Sequence, residues 1–443
     1  MHRQHHCWTI ENGLRMGETI IELSTGAALE YIFLSYTMNR GSEVKSINQM
    51  GMLIFCFSLL LISGQMVSAT VQGYDSKVDF TAGPSMPTNV WRYQYSSESN
   101  LAGPYTDLPY WDAGSASWKI QAAQPPYLYA SSTGCHPNAP EDEICTFLAP
   151  AKGVYLMAGL VSCGSGNGVA FSVTKGNASG ADTVLAGPGV TSGNQPWGVL
   201  RSTVIPYAAS QAASLNQIHF RVNRNGDLSN DATETRYAVY RLGIEDVPEA
   251  YTSSFPSAFG TGKPVPSGNG FGQLGDKDSA GNPVWFYQVG MPGNSGSYIL
   301  LPYWSESLAE YSFSNPGGPY GWAIAGSSYV HPGPSEAAST VVTYSSPFKP
   351  MKASISCTAS TAGSTDGVLV RIYKNDTLLE GCTLDLPSTG SGTIGTNKVE
   401  MVAGDCFHVT VSLKANQSND ATTLNVTVTG IPEAVKGTVI MVR

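Results

Sequence analysis

Five tryptophans, Trp111, Trp118, Trp197, Trp304 and Trp322, each have Pro, Gly or Ser within two residues. An exposed indole or phenol face can pack against the axial C–H groups of a pyranose while a few polar groups fix its hydroxyls. The competing use of a large aromatic is to fill a core. Trp91 and Trp285 each open an apolar, strand-like run and are assigned to the core. Trp111 and Trp304, after Pro-Tyr and before polar residues, suit either place. Trp118, Trp197 and Trp322, in Gly/Ser-rich surroundings, are the better surface candidates.

A second group is rich in oxygen: Asn223, Asn225, Asp227, Asn230 and Asp231. Oxygen donors in a loop suit Ca²⁺, and Asn225, Asp227 and Asp231 are the candidate ligands. The spacing departs from D-x-[DN]-x-[DN]-G, and Asn and Asp also cap turns through their own backbone. A structural Ca²⁺ is the one cofactor the sequence suggests. Asp107, Asp112 and Asp231 are nominal carboxylates for glycoside cleavage, but no partner is evident for a two-carboxylate mechanism. No G-x-S-x-G, H-E-x-x-H, P-loop or dinucleotide fingerprint occurs, so a non-catalytic chain is expected. His136 and His331 each precede Pro, His219 and His408 fall on the outward period of strands, and none has a nucleophile beside it.

Beyond the first 69 residues there are six cysteines. Cys135–Cys145 and Cys382–Cys406 are expected to form bridges, with Cys163 and Cys357 left as buried free thiols. Four N-x-[ST] sequons stand at Asn177, Asn375, Asn416 and Asn425.

These residues recur in a pattern. "VWRYQ" at 90–94 matches "VWFYQ" at 284–288, and "LPYW" occurs at 108–111 and 301–304. "HP" recurs at 136–137 and 331–332, Cys163 answers Cys357, and "SNDAT" occurs at 229–233 and 418–422. Ordered matches at a slowly drifting offset describe two copies of one unit. Within each copy the hydrophobic period is two. Val169, Phe171 and Val173 alternate with polar residues, as do Val368, Val370 and Ile372; so do Ile218, Phe220 and Val222, and Phe407, Val409 and Val411. Such alternation predicts half-buried antiparallel strands. The expected fold is all-β: two tandem antiparallel β-sandwich (jelly-roll) domains at 89–250 and 283–434. A Gly/Pro/Ser-rich linker is expected at 251–282, an arm or disordered tail at 70–88, and a short tail at 435–443.

Only 13% of the 443 residues are charged, with 48 Gly, 27 Pro, 22 Tyr and 8 Trp, a composition that suits a secreted β protein. The net charge of −9 argues against nucleic acid or anionic lipid as a partner. The apolar run at 51–63, preceded by Arg40 and Lys45 and followed by "GQMVSA", has the layout of a signal peptide over 50–69. Residues 1–49 are then an over-long N-terminal extension, and the mature chain is secreted or held at the cell surface.

The order V-W-x-Y-Q, L-P-Y-W, H-P and S-N-D-A-T resembles that of the jelly-roll, carbohydrate-binding-module-like accessory domains of secreted bacterial glycan-degrading proteins. "FRVNRNGDLSNDAT" at 220–233 and "HPG" at 331–333 carry the resemblance most closely. The second copy reads "VSLKANQSNDAT" and lacks the Arg-Asn-Gly centre. The resemblance implies a tandem sandwich that binds polysaccharide or glycoconjugate. The alternative is a structural or adhesive surface protein that self-associates, and a glycoside hydrolase or lyase is a third reading.

Overall fold

The computed structural model describes residues 3–10, 14–21, 32–37 and 71–432, the last apart from 81, 84–89, 98–102, 104, 124–126, 165–166, 178–180, 192–194, 207–215, 227–230, 245–247, 249–250 and 314–321. Residues 1–67 and 68–443 are two separate units. In the first, Arg3–Ile10, Leu14–Ile21 and Ile32–Thr37 pair antiparallel in that order. The export signal expected at 50–69 and the tail at 435–443 lie outside the described residues. No helix among the described residues is long and apolar enough to cross a membrane.

The larger unit is two antiparallel β-sandwiches. In the first, one sheet runs Thr183–Val190, Val169–Lys175, Gln217–Arg224, Glu141–Leu148, Trp91–Ser97, Thr106–Asp107. Its partner sheet runs Trp197–Ile205, Gly153–Cys163, Thr233–Leu242, Gly134–His136, Tyr129–Ser131, Ser117–Lys119, Tyr110–Asp112. The second sandwich repeats the first five positions in its first sheet, Thr377–Leu386, Val368–Lys374, Cys406–Leu413, Ser339–Ser345 and Pro283–Gly290, which pairs in turn with Asp276–Lys277 and with Ile299–Leu300. Its other sheet is centred on Met351–Ala362, Thr422–Pro432, Tyr329–His331 and Ile324–Gly326.

The alternation has the expected consequence on the core side. Val169, Phe171, Val173, Ile218, Phe220 and Val222 are fully buried in one core, and Val368, Val370, Ile372, Phe407, Val409 and Val411 in the other. Two segments read as irregular are strands. Gln72–Asp75 pairs with Thr233–Leu242 in the first sandwich, and Tyr251–Phe255 pairs with Thr422–Pro432 in the second. The stretch 251–282 is therefore built into the second sandwich rather than being a linker. Tyr251, Phe255 and Ala258 are buried, and Asp276 accepts from Gly260 N at 2.8 Å, Gly262 N at 2.6 Å and Tyr287 Oη at 2.5 Å. Gly and Pro here punctuate ordered turns; Gly275, at φ 79°, lies so close to Phe286 that a Cβ would sit 2.6 Å from its ring.

A third apolar cluster joins the sandwiches. Leu156, Leu160, Leu200, Ala238 and Leu242 of the first pack against Phe271, Phe286 and Leu300 of the second. Around it Tyr240 Oη donates to Leu274 O at 2.6 Å, and Arg236 Nη1 to Pro264 O at 2.9 Å.

Val169–Lys175 and Val368–Lys374 are half-buried as expected, but Gln217–Arg224 and Cys406–Leu413 are buried on their outward face as well. His219, Arg221 and His408 point away from the cores yet are buried. Each sandwich meets this with one polar row across three strands. Gln94 Nε2 donates to Asp107 Oδ1 at 2.8 Å, which turns its Oε1 toward the Thr146 hydroxyl, a donor at 2.6 Å. Thr146, its proton committed, accepts from His219 Nδ1 at 2.9 Å. Gln288, Thr343 and His408 make the same row at 2.8 and 2.9 Å. A tyrosine ring stands edge-on to each imidazole: Tyr105 at 4.7 Å from His219 and Tyr298 at 5.0 Å from His408. Beyond the row the sandwiches differ. The first has Arg221 Nη2 on Asp142 Oδ2 at 2.7 Å, with Asn223 Nδ2 on Asp142 Oδ1 at 2.5 Å. The second has only a Ser339–Ser412 hydroxyl pair at 2.7 Å.

Two predictions follow from this packing. Phe286→Ala is expected to cost about 3–5 kcal/mol, read as a lower midpoint in urea denaturation. The second concerns pH. Burial, the leading cause, holds His219 and His408 at about 4, against an ordinary 6.5. The unfolded chain thus binds more protons between those values, and their contribution to stability drains away as pH falls from about 6.5 to about 4. The loss is on the order of 3 kcal/mol for each imidazole. Between those pH values the Tm of the native chain is expected to fall further than that of a His219→Gln, His408→Gln variant; parallel profiles would contradict the assignment.

Candidate functional site

On each sandwich a hairpin ends in the His-Pro pair: Tyr129–Ser131 with Gly134–His136 in the first, Ile324–Gly326 with Tyr329–His331 in the second. The imidazole is fixed by its own chain. His136 Nδ1 donates to Pro137 O at 2.6 Å, and His331 Nδ1 to Pro332 O at 2.7 Å. Burial lowers the pKa of both rings, so each is a neutral plate at ordinary pH. Against each lies an aromatic ring: Tyr127 at 6.1 Å from His136, and Trp322 at 6.4 Å from His331. Tyr127 is 52% exposed and Trp322 is 56% exposed. Each sits nine residues before its histidine, so the two rings hold the same place in the two sandwiches. The counterpart of Trp322 in the first sandwich is thus a tyrosine.

The other tryptophans are not brought to this surface. Trp118 is buried and packs on half-buried Trp111 at 5.4 Å, so the surface role expected of it is corrected to a core one. Trp197 is half-buried edge-on to Phe171 at 5.6 Å, with Gly189 so close that a Cβ would meet its ring at 2.1 Å. Trp304 is buried, its Nε1 donates to Glu306 Oε2 at 2.7 Å, and Lys263 covers its ring at 5.6 Å. Trp91 and Trp285 are fully buried, as expected. Of the five candidates, Trp322 alone presents a largely open face.

Of the three calcium candidates, Asn225 and Asp231 are described. Asn225 Nδ2 donates to Asn167 O at 2.8 Å, Asp231 is fully buried, and Asp227 lies outside the described residues. Among the described residues no group of three or more His, Cys, Asp or Glu could hold a metal ion. Asp107 accepts from Gln94, and Asp112 is taken up by Lys119, Ser115 and Gly114 N.

The two expected bridges are absent, and all six cysteines of the larger unit are buried free thiols. Cys135 and Cys145 lie in opposite sheets of the first sandwich, roughly 10 Å apart at the spacing of packed sheets. Cys382 and Cys406 lie in one sheet with Val368–Lys374 between them, again roughly 10 Å at two strand spacings. A disulfide needs Cα atoms within about 7 Å. Cys135 is paired instead with Glu143, whose carboxyl burial pushes up to about 8.

A second concavity, of about 260 Å³, opens between the sandwiches. The second contributes Gln288, Tyr298, Asn375, Asp405 and His408, and the first contributes Leu200, Arg201 and Ser202. Arg201 spans the junction, its Nη2 donating to Gly296 O at 3.1 Å. Asn375, at φ 52°, is held by Asp405 Oδ1 at 3.1 Å and by Cys406 N at 2.9 Å. Burial raises the Asp405 carboxyl, but hydrogen bonds from Asn375, Val402 N and Lys374 outweigh it and leave it below the usual value. Burial pushes the Cys406 thiol up to about 12, so it supplies no thiolate at neutral pH. The cleft offers amide, hydroxyl, imidazole and guanidinium groups to a small polar ligand.

No family model matches the chain, and no curated protein does. Solved structures similar to it include the N-terminal CBM22-1–CBM22-2 tandem domain of Xyn10C from Paenibacillus barcinonensis, 8% identical, TM-score 0.20, covering 83% of this chain and 100% of that one. An allantoicase is 8% identical at a TM-score of 0.18, over 70% of this chain and 80% of that one. A Paenibacillus xanthan lyase is 10% identical at 0.18, over 68% of this chain and 23% of that one. Likenesses this distant leave the fold to rest on the strands themselves and say nothing about a ligand.

Proposed function

We propose that the chain is a secreted, non-catalytic protein whose two β-sandwiches bind polysaccharide or glycoconjugate. The observation that carries this is the open aromatic ring beside the His-Pro imidazole in each sandwich, Tyr127 in one and Trp322 in the other. A flat ring on a rigid hairpin suits the C–H face of a sugar. Ser327 and Ser328 on one hairpin, and Ser132 and Thr133 on the other, supply hydroxyls for the polar contacts. Low overall charge favours an uncharged polymer over a polyanion. Two modest sites on one chain act together through effective concentration when the ligand is long. Export is supported by the apolar run at 51–63.

A glycan array on the purified full chain is expected to detect at least one polysaccharide. Tyr127→Ala or Trp322→Ala should weaken binding about tenfold, as expected when an aromatic contact near 1.4 kcal/mol is lost. On a long polymer that bridges both sites the double variant should approach the product of the two single losses, well beyond its loss on a short oligosaccharide, where the sites act separately. Absence of any bound glycan, or indifference to both substitutions, would sink the proposal; reducing sugar released from the bound polymer would overturn its non-catalytic part.

A further inference from the structure

Where the second sandwich turns from Met351–Ala362 into Val368–Lys374, the loop at 363–367 meets the loop at 414–420. The two are clasped: Thr365 N and Oγ1 both donate to Ser418 O, at 3.2 and 2.8 Å. Ala415 N and Asn416 N donate to Asp366 Oδ2 at 2.6 and 3.2 Å. That leaves Asp366 Oδ1 buried and without a hydrogen bond. Gln417 Oε1 and both carboxylate oxygens of Asp420 are in the same condition, and Asp420 is 0% exposed.

All four atoms are acceptors. A buried acceptor with no partner costs about 1–3 kcal/mol, more when charged, so four in one corner call for something positive. The cationic side chain next along the loop does not provide it, because Lys414 pairs with Asp385. Nitrogen and sulfur donors are missing from the set, which disfavours zinc and copper; carboxylate and amide oxygens suit a hard divalent ion.

We infer that Asp366, Gln417 and Asp420 form a Ca²⁺ site that pins the 363–367 and 414–420 loops of the second sandwich together. Backbone carbonyls and water complete the six to eight oxygens that Ca²⁺ takes. The corresponding corner of the first sandwich has Asn167 where Asp366 stands, each before a left-handed glycine, Gly168 at φ 83° and Gly367 at φ 91°.

The test uses the full chain stripped with EDTA. Added CaCl₂ should raise Tm by several degrees, and Tb³⁺ should give luminescence sensitised by the aromatic side chains, competed away by Ca²⁺. Equimolar Mg²⁺, which dehydrates reluctantly, should compete poorly. Asp420→Asn and Asp366→Asn should each remove one bound ion in calorimetric titration, or weaken it at least tenfold. In EDTA, Asp420→Asn should be folded and at least as stable as the native chain, because it removes a buried unpaired charge. No Tb³⁺ signal from the native chain, no Ca²⁺-dependent rise in Tm, or unchanged stoichiometry and affinity in both variants would each overturn the site. In any of those cases Asp420 simply carries a proton.

Discussion

A sheet covered on both faces has no water to satisfy its outward side chains, and this constraint shapes the molecule. Pro283–Gly290 is buried at every position, and Ser339–Ser345 likewise. Whatever polar group such a strand carries must find its partner inside. The Gln–Thr–His rows are the answer in both sandwiches, one side chain from each of three neighbouring strands, closed by a tyrosine edge. The chain of donors fixes the tautomer, and the low dielectric keeps the imidazoles neutral. These histidines are therefore structural elements.

The same covering decides where a ligand can meet the protein. The first sandwich lies against the second through the cluster around Phe286, which removes one sheet face from solvent. Among the described residues, one open aromatic ring stands beside the hairpin before each His-Pro, and a polar cleft opens beside Arg201. The two surfaces differ in kind: the hairpin is a flat apolar plate, and the cleft is a small basin of amides and hydroxyls.

Much of the fold was legible in the sequence, because period-two alternation reports the core side of a strand directly. Val169, Phe171 and Val173 could be assigned to a core without a structure. The outward side could not, since alternation does not reveal what covers the other face. His219 and Arg221 look like solvent-facing residues until the Tyr105 loop is placed over them. The cysteine pairings failed for a related reason: counting thiols takes no account of sheet spacing. The stretch at 251–282 was misread because Gly, Pro and Ser mark ordered turns as well as flexible ones, while Tyr251 and Phe255 within it are core residues. For the open rings, a signal was available in the aromatic nine residues before each His-Pro. It is faint because the ring is a tyrosine in one copy and a tryptophan in the other.

The central claim is that Trp322 presents a binding face while the buried indoles do not. The most direct measurement is the indole N–H spectrum of the ¹⁵N-labelled full chain, with assignments made by Trp→Phe substitution, during titration with a soluble oligosaccharide of a glycan that it retains. The account predicts that the Trp322 signal shifts progressively and saturates while those of Trp91, Trp118 and Trp285 stay in place. A stationary Trp322 signal in the presence of bound oligosaccharide would contradict it.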